Sequence, residues 1–139
     1  MLLPPHCRDP RTMRPQSAKA KGRRFQQWVR DMLLGASPQL HEDDIRSTSM
    51  GAGGEDLQFS PAARAIYPIS IECKCQESLS FWAAMKQAEA NAGEHTPVLF
   101  VTRNRTPEYA VLPAVALISL YSRLAVAEEG GWMYNEMRD

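Results

Sequence analysis

Apolar residues at Phe25, Trp28, Val29, Met32 and Leu33 recur at i, i+3, i+4, i+7 and i+8, the stripe that a surface helix lays against a core. Ser17 suits the N-cap, Arg23, Gln26, Gln27 and Arg30 take the opposite face, and Gly35 with Pro38 beyond it predicts the stop. Further on, the period changes to two. Asp56 and Gln58 alternate with Leu57 and Phe59 until Ser60-Pro61 breaks the run into a turn or a single helical turn. From Tyr67 to Cys75, Ile69, Ile71 and Cys73 alternate with Ser70, Glu72 and Lys74. Both runs are predicted strands, each with one apolar face turned to the core.

Ser78 or Ser80 is positioned to cap a helix from Leu79 to about Ala92, whose Trp82, Ala84, Met85, Ala88 and Ala92 predict close packing on a sheet before Gly93 stops it. Val98 to Val101 is a continuous apolar run, expected for a strand covered on both faces. Arg103 to Pro107 forms a basic turn, and Glu108 to Leu112 returns as the second arm of a hairpin. Pro113 opens a last helix, Ala114 to about Ala127. Its Val115, Leu117, Ile118, Leu120, Tyr121 and Leu124 make it apolar on more than one face, which requires burial in the core or against a second subunit. Gly130-Gly131 is read as its end, with Trp132, Met133 and Tyr134 in a tail.

The 139 residues suit one domain, divided as a proline-rich basic arm (1–16), an α/β domain (17–127) and a C-terminal tail (128–139). Formal charge is zero, which alone argues against a nucleic-acid partner, but its distribution reverses that inference. Arg8, Arg11, Arg14, Lys19, Lys21, Arg23, Arg24 and Arg30 meet only Asp9 in the first thirty residues, a localised phosphate-binding surface on a chain otherwise acidic by the difference. Met1-Leu2-Leu3 runs at once into Pro4-Pro5, too short for a signal peptide or membrane span, so an intracellular, cytoplasmic protein is expected. Cys7, Cys73 and Cys75 need form no disulfide there. The Cys73-x-Cys75 spacing is wrong for zinc, and Cys73 reads as a small buried hydrophobe.

The chemistry concentrates between Gly54 and Gln76. If the two strands are neighbours, Asp56, Glu72 and Lys74 stand together on a sheet whose reverse is greasy. Two carboxylates are the minimum that holds Mg2+ with water and substrate oxygens, and an ammonium beside them can orient an attacking water and offset charge growing on a phosphate. Ser47 to Gly54 is small, polar and glycine-rich, so its backbone amides and Ser47 and Ser49 could approach a phosphate. No Gly-Lys-Ser/Thr follows, so it is not a P-loop. Arg103 and Arg105, at a strand end, are further phosphate contacts. Glu42-Asp43-Asp44 compete as ligands on paper but lack a downstream Glu-x-Lys and read as a solvated loop.

Asp56, a spacer with a turn, and then Glu72-x-Lys74 resembles the metal site of the PD-(D/E)xK nuclease superfamily, in particular its small Holliday-junction resolvase and phage endonuclease branch. Glu55 stands where the proline of that motif would be. Lys21-Gly22-x-x-x-Gln26 is similar to the Lys-Gly-x-x-x-Glu that opens such resolvases, with Gln26 in place of the metal-binding glutamate and Gln27 adjacent. Trp82 and Gln87 match the placement of an aromatic and a glutamine that support the catalytic lysine. The resemblance, over about residues 19–125, implies a restriction-endonuclease-like α/β core with a mixed central sheet flanked by helices. It implies Mg2+-dependent DNA hydrolysis, with Mn2+ as a substitute, at Asp56, Glu72, Lys74 and Gln87, and with Gln26 as a third metal-site residue. Branched DNA as substrate, a role in recombination, a phage origin and a homodimer are what that branch implies. The alternatives are a nuclease of the same fold acting on ends, flaps or mismatches, and a DNA-binding module without catalysis. An RNA-binding role is weakened by the lack of paired aromatics.

Overall fold

The computed structural model describes residues 15–49 and 53–136; the arm before Pro15 and the loop residues Met50, Gly51 and Ala52 lie outside the described residues. Helix α1 spans Pro15–Gly35, opening on a proline and so two residues ahead of the expected Ser17 cap. Leu40 is followed by a 3-10 turn, Glu42–Asp44, that leads into strand β1, Ile45–Ser47. Strand β2 is Leu57–Phe59, α2 is Pro61–Ile66 and β3 is Ile69–Cys75. Helix α3, Phe81–Ala92, precedes β4, Thr96–Thr102, β5, Tyr109–Val111, and α4, Ala114–Glu136.

The protein is a mixed α/β fold with two small sheets, not the single mixed sheet expected. β1 and β2 pair antiparallel, with Ser47 opposite Leu57. β3 and β4 pair parallel, with Glu72 opposite Leu99, and β5 returns antiparallel on β4 as the predicted hairpin. The sheets meet at Asp56. Its N–H donates to the Ile71 carbonyl at 2.8 Å, but the next β3 donor, Cys73 N–H, is taken by the Asp56 carboxylate at 2.7 Å. A side chain occupies the place of the next main-chain acceptor, so the ladder does not continue from β2 to β3.

Two apolar clusters hold the layers. Phe25 and Val29 of α1 close over Ile45, Leu57, Ala63 and Ile71, all at most 1% exposed. Across β4, Ala84 and Met85 of α3 close over Leu99. β3 therefore lies between two helices. That sandwich buries its polar face as well, leaving Ser70 and Glu72 at 3% exposure where the alternation alone predicted one open face.

Two expectations about helices are corrected. Trp82, placed on the sheet-facing side of α3 by the sequence, is 82% exposed and meets only the Phe81 ring edge-on. The alanines at 84, 88 and 92, with Met85, set the buried face, and Trp82 falls outside that arc. Helix α4 runs through Gly130-Gly131 to Glu136, because glycine inside a helix costs only about 1 kcal/mol and no proline follows. α4 makes sparse contacts with the rest of the fold, so the core is not what covers it.

Candidate functional site

Gly54 turns the chain at φ +96°, a conformation that favours glycine, and delivers Glu55 and Asp56 to the edge of β3. Three hydrogen bonds then fix Asp56. Besides the two to β3, its carbonyl accepts Thr48 N–H at 2.8 Å. Among the described residues one carboxylate oxygen, Oδ2, is engaged.

Glu72 and Lys74 follow on β3 with the period-2 geometry of the strand. Lys74 Nζ lies 3.5 Å from Glu72 Oε1, while Glu72 Oε2 is buried with no hydrogen-bond partner among the described residues. Burial, and then the negative charge of Asp56, push the Glu72 carboxyl above its ordinary range; Lys74 and Asn91 pull it part of the way back. Burial likewise raises Asp56, against the Cys73 N–H and the charge of Lys74. These mutual effects bring the three predicted residues into one electrostatic unit. Cys73, between them, is a free thiol that burial holds protonated, raised well above its ordinary value, in line with its expected role as a small hydrophobe.

The supporting residues differ from expectation. Gln87 is exposed and makes no hydrogen bond among the described residues. Asn91, one turn later on the same side of α3, is the residue that reaches Glu72, and its Nδ2 donates to the Gly54 carbonyl at 3.2 Å. Asn91 stands at i+4 from Gln87, and that spacing alone does not say which of the two faces the site. Gln26 is 8% exposed and its Oε1 has no partner among the described residues, whereas Gln27 is exposed. No hydrogen bond joins Gln26 to Asp56, Glu72 or Lys74. Among the described residues no group of three His, Cys, Asp or Glu side chains could hold a metal, so any protein ligand set here rests on two carboxylates.

Arg64 is a further residue whose role only the fold shows. It pairs with Glu55 through both guanidinium nitrogens, the shorter contact 2.6 Å, donates to the Ile69 carbonyl and lies 4.6 Å from the centre of the Phe59 ring. It thus ties the residue before Asp56 to the start of β3. Arg64→Met is expected to lower stability by about 1–3 kcal/mol in urea unfolding, because a partly buried charged pair and a carbonyl lose their donor. Arg46→Ala, whose pairing with Asp43 is exposed on both sides, should change it by less than about 0.5 kcal/mol.

Of the basic residues read as phosphate contacts, Lys19, Arg23, Arg24, Arg103 and Arg105 are exposed. Lys21 is not: it is 9% exposed, and its Nζ donates to Asn104 Oδ1 at 3.0 Å. This lysine fastens α1 to the turn between β4 and β5, which carries Arg103 and Arg105, so the two basic segments adjoin. Ser47 Oγ is buried without a partner among the described residues, Ser49 is exposed, and Met50, Gly51 and Ala52 of that loop lie outside them. A cleft of about 450 Å³ opens two residues beyond Lys74, lined by Gln76, Thr102, Arg103 and Tyr109 among others. A second, of about 530 Å³, lies between α3 and the start of α4. Neither of these two clefts is lined by Asp56 or Glu72. No helix among the described residues is long and apolar enough to cross a membrane. No family model, curated protein or solved structure matches the chain.

Proposed function

We propose that the chain is a divalent-metal-dependent DNA endonuclease of the PD-(D/E)xK type, and that Asp56, Glu72 and Lys74 carry its chemistry. One observation supports this most: two carboxylates and an ammonium from separate segments converge, and one of the carboxylate oxygens is buried without a partner. Two carboxylates share one ammonium, and one oxygen of the buried carboxylate has no hydrogen bond among the described residues, so the site carries more negative than positive charge, which a divalent cation would offset.

The donor set fits a hard cation. Asp56 and Glu72 would hold Mg2+, with Mn2+ able to replace it, and Gln26 would contribute at most a neutral oxygen. When bound, the metal would supply Lewis-acid stabilisation of the charge developing on a phosphate. Lys74 would hold the attacking water by hydrogen bonding and offset charge on the non-bridging oxygens. Asn91 would orient Glu72 while its Nδ2 holds the Gly54 carbonyl. Exposed Lys19, Arg23, Arg24, Arg103 and Arg105 would take the DNA backbone, with Ser47 and Ser49 on the neighbouring loop. The restriction-endonuclease-like core and the branched-DNA preference belong to this reading.

Lys74→Ala is expected to lose cleavage of a four-way junction while still binding it. Binding should weaken steeply between about 50 and 200 mM salt as counterions are released, and more gently in a variant lacking Arg23 and Arg24. Retained cleavage in Lys74→Ala, or salt-independent binding, would count against the assignment. Linear duplex, flap, mismatch and single-strand substrates, run beside the junction, separate the resolvase reading from the same-fold alternatives. Gln26 in the place of a glutamate favours a second reading, a DNA-binding module without catalysis. Tight binding with no cleavage in either Mg2+ or Mn2+ would select it.

A further inference from the structure

Helix α4 leaves Val115, Leu117, Ile118, Leu120, Tyr121 and Leu124 between 43% and 76% exposed, a larger apolar surface than a lone soluble chain ordinarily presents. At 3.6 residues per turn, Leu117, Leu120, Tyr121 and Leu124 form one stripe, with Ser119, Ser122 and Arg123 on the far side. The segment also reads nearly the same in both directions. Outward from the bond between Leu120 and Tyr121, the mirrored positions are Ser119 and Ser122, Leu117 and Leu124, Ala116 and Ala125, Val115 and Val126, and Ala114 and Ala127. Only Ile118 and Arg123 differ in kind, and Leu120 and Tyr121 are both large and apolar.

We infer that α4 is the contact between two copies of this chain, packed antiparallel about a two-fold axis at the Leu120–Tyr121 midpoint. A two-fold interface must be complementary to itself, and in the antiparallel direction the mirrored sequence sets each apolar position against an apolar position of the partner. Leu117 then lies against the partner's Leu124, and Leu120 against the partner's Tyr121. Charge agrees with this direction. Glu128 and Glu129 of one copy come to the N-terminal end of the partner's α4, where the helix dipole favours anions, whereas a parallel pair would crowd four carboxylates together. The inference does not depend on catalysis, because it is tested by mass.

Light scattering after gel filtration of the full chain should show twice the chain mass. Leu117→Lys and Leu124→Glu should each run as monomers, with dissociation constants raised roughly a hundredfold or more by a charge in an apolar seam. An equimolar mixture of the two should recover the dimer, since each lysine then faces a glutamate and the other Leu117–Leu124 contact is intact. Val115→Lys, on the far side, should remain dimeric, and circular dichroism should show unchanged helix content in all variants, because α4 packs on little else in its own chain. A monomeric wild type, single seam variants that stay dimeric, a mixture that stays monomeric, or a Val115→Lys that dissociates would each overturn the arrangement.

Discussion

Glu72→Gln is expected to lose metal-dependent cleavage by on the order of a hundred- to a thousandfold or more, and at the same time to melt at a higher temperature than the wild type when no divalent cation is present. The two effects have one cause. Glu72 is 3% exposed, its Oε2 has no partner among the described residues, and the charge of Asp56 faces it. Folding therefore raises its carboxyl above the unfolded value. Between those two values the folded state holds more protons than the unfolded one, so stability is greatest on the acid side and is lost as pH rises through the folded pKa. Glutamine is nearly the same shape and never ionises, so its advantage grows as pH rises out of the ordinary carboxylate range and through the raised folded value. Mg2+ should reverse the order at pH 8, stabilising the wild type by neutralising both carboxylates, and should have little effect near pH 5, where proton and metal compete for them. Melts of EDTA-treated protein across this range, with and without Mg2+, measure all of it. A variant that melts lower than the wild type at pH 8 without metal would falsify the claim that Lys74 and Asn91 compensate the buried Glu72 charge only in part.

Phe25→Ala should cost about 3–5 kcal/mol, a large part of the 5–15 kcal/mol that holds a domain of this kind together. The ring is 0% exposed and packs with Val29, Ile45, Leu57 and Ile71, joining α1 to both sheets, and it stacks on Trp28 at 6.0 Å between centroids. Removing it leaves a cavity at the junction that holds Asp56 against β3. Cleavage should therefore fail at temperatures the wild type tolerates while remaining measurable in the cold, which distinguishes lost packing from lost chemistry. Trp82→Ala, a larger truncation on paper, removes a side chain that is 82% exposed and should change stability by less than about 0.5 kcal/mol. Urea unfolding of the pair decides between the two environments. Equal costs would mean that the α1 layer is not the core of the fold.

Much of the molecule was legible without coordinates wherever a short-range pattern decides structure. The stripe from Phe25 to Leu33, the alternation from Ile69 to Lys74, the hairpin over β4 and β5 and the pairing of Glu72 with Lys74 all follow from 3.6- and 2-residue periods that each segment carries within itself. Misreadings came where a partner distant in sequence decides. Lys21 resembles any other lysine of the basic stretch until Asn104, 83 positions away, takes its ammonium. Arg64 carries no local signal of its role, because Glu55, Phe59 and the Ile69 carbonyl close around it only in the fold.

The sequence by itself determined α1, β2, β3, α3 and the β4–β5 hairpin, though not β1, together with the apolar faces of α1 and β3 and the identity of the two acids and one amine that could share a site, because these depend on local spacing and residue chemistry. Tertiary structure alone decided that Asp56 reaches β3 through its side chain and so divides the sheet in two, that Glu72 is buried on a face expected to be open, and that Asn91 in place of Gln87 stands beside it. Each depends on which layers press together and which polar atoms they strip of water, and no window of neighbouring residues contains that information.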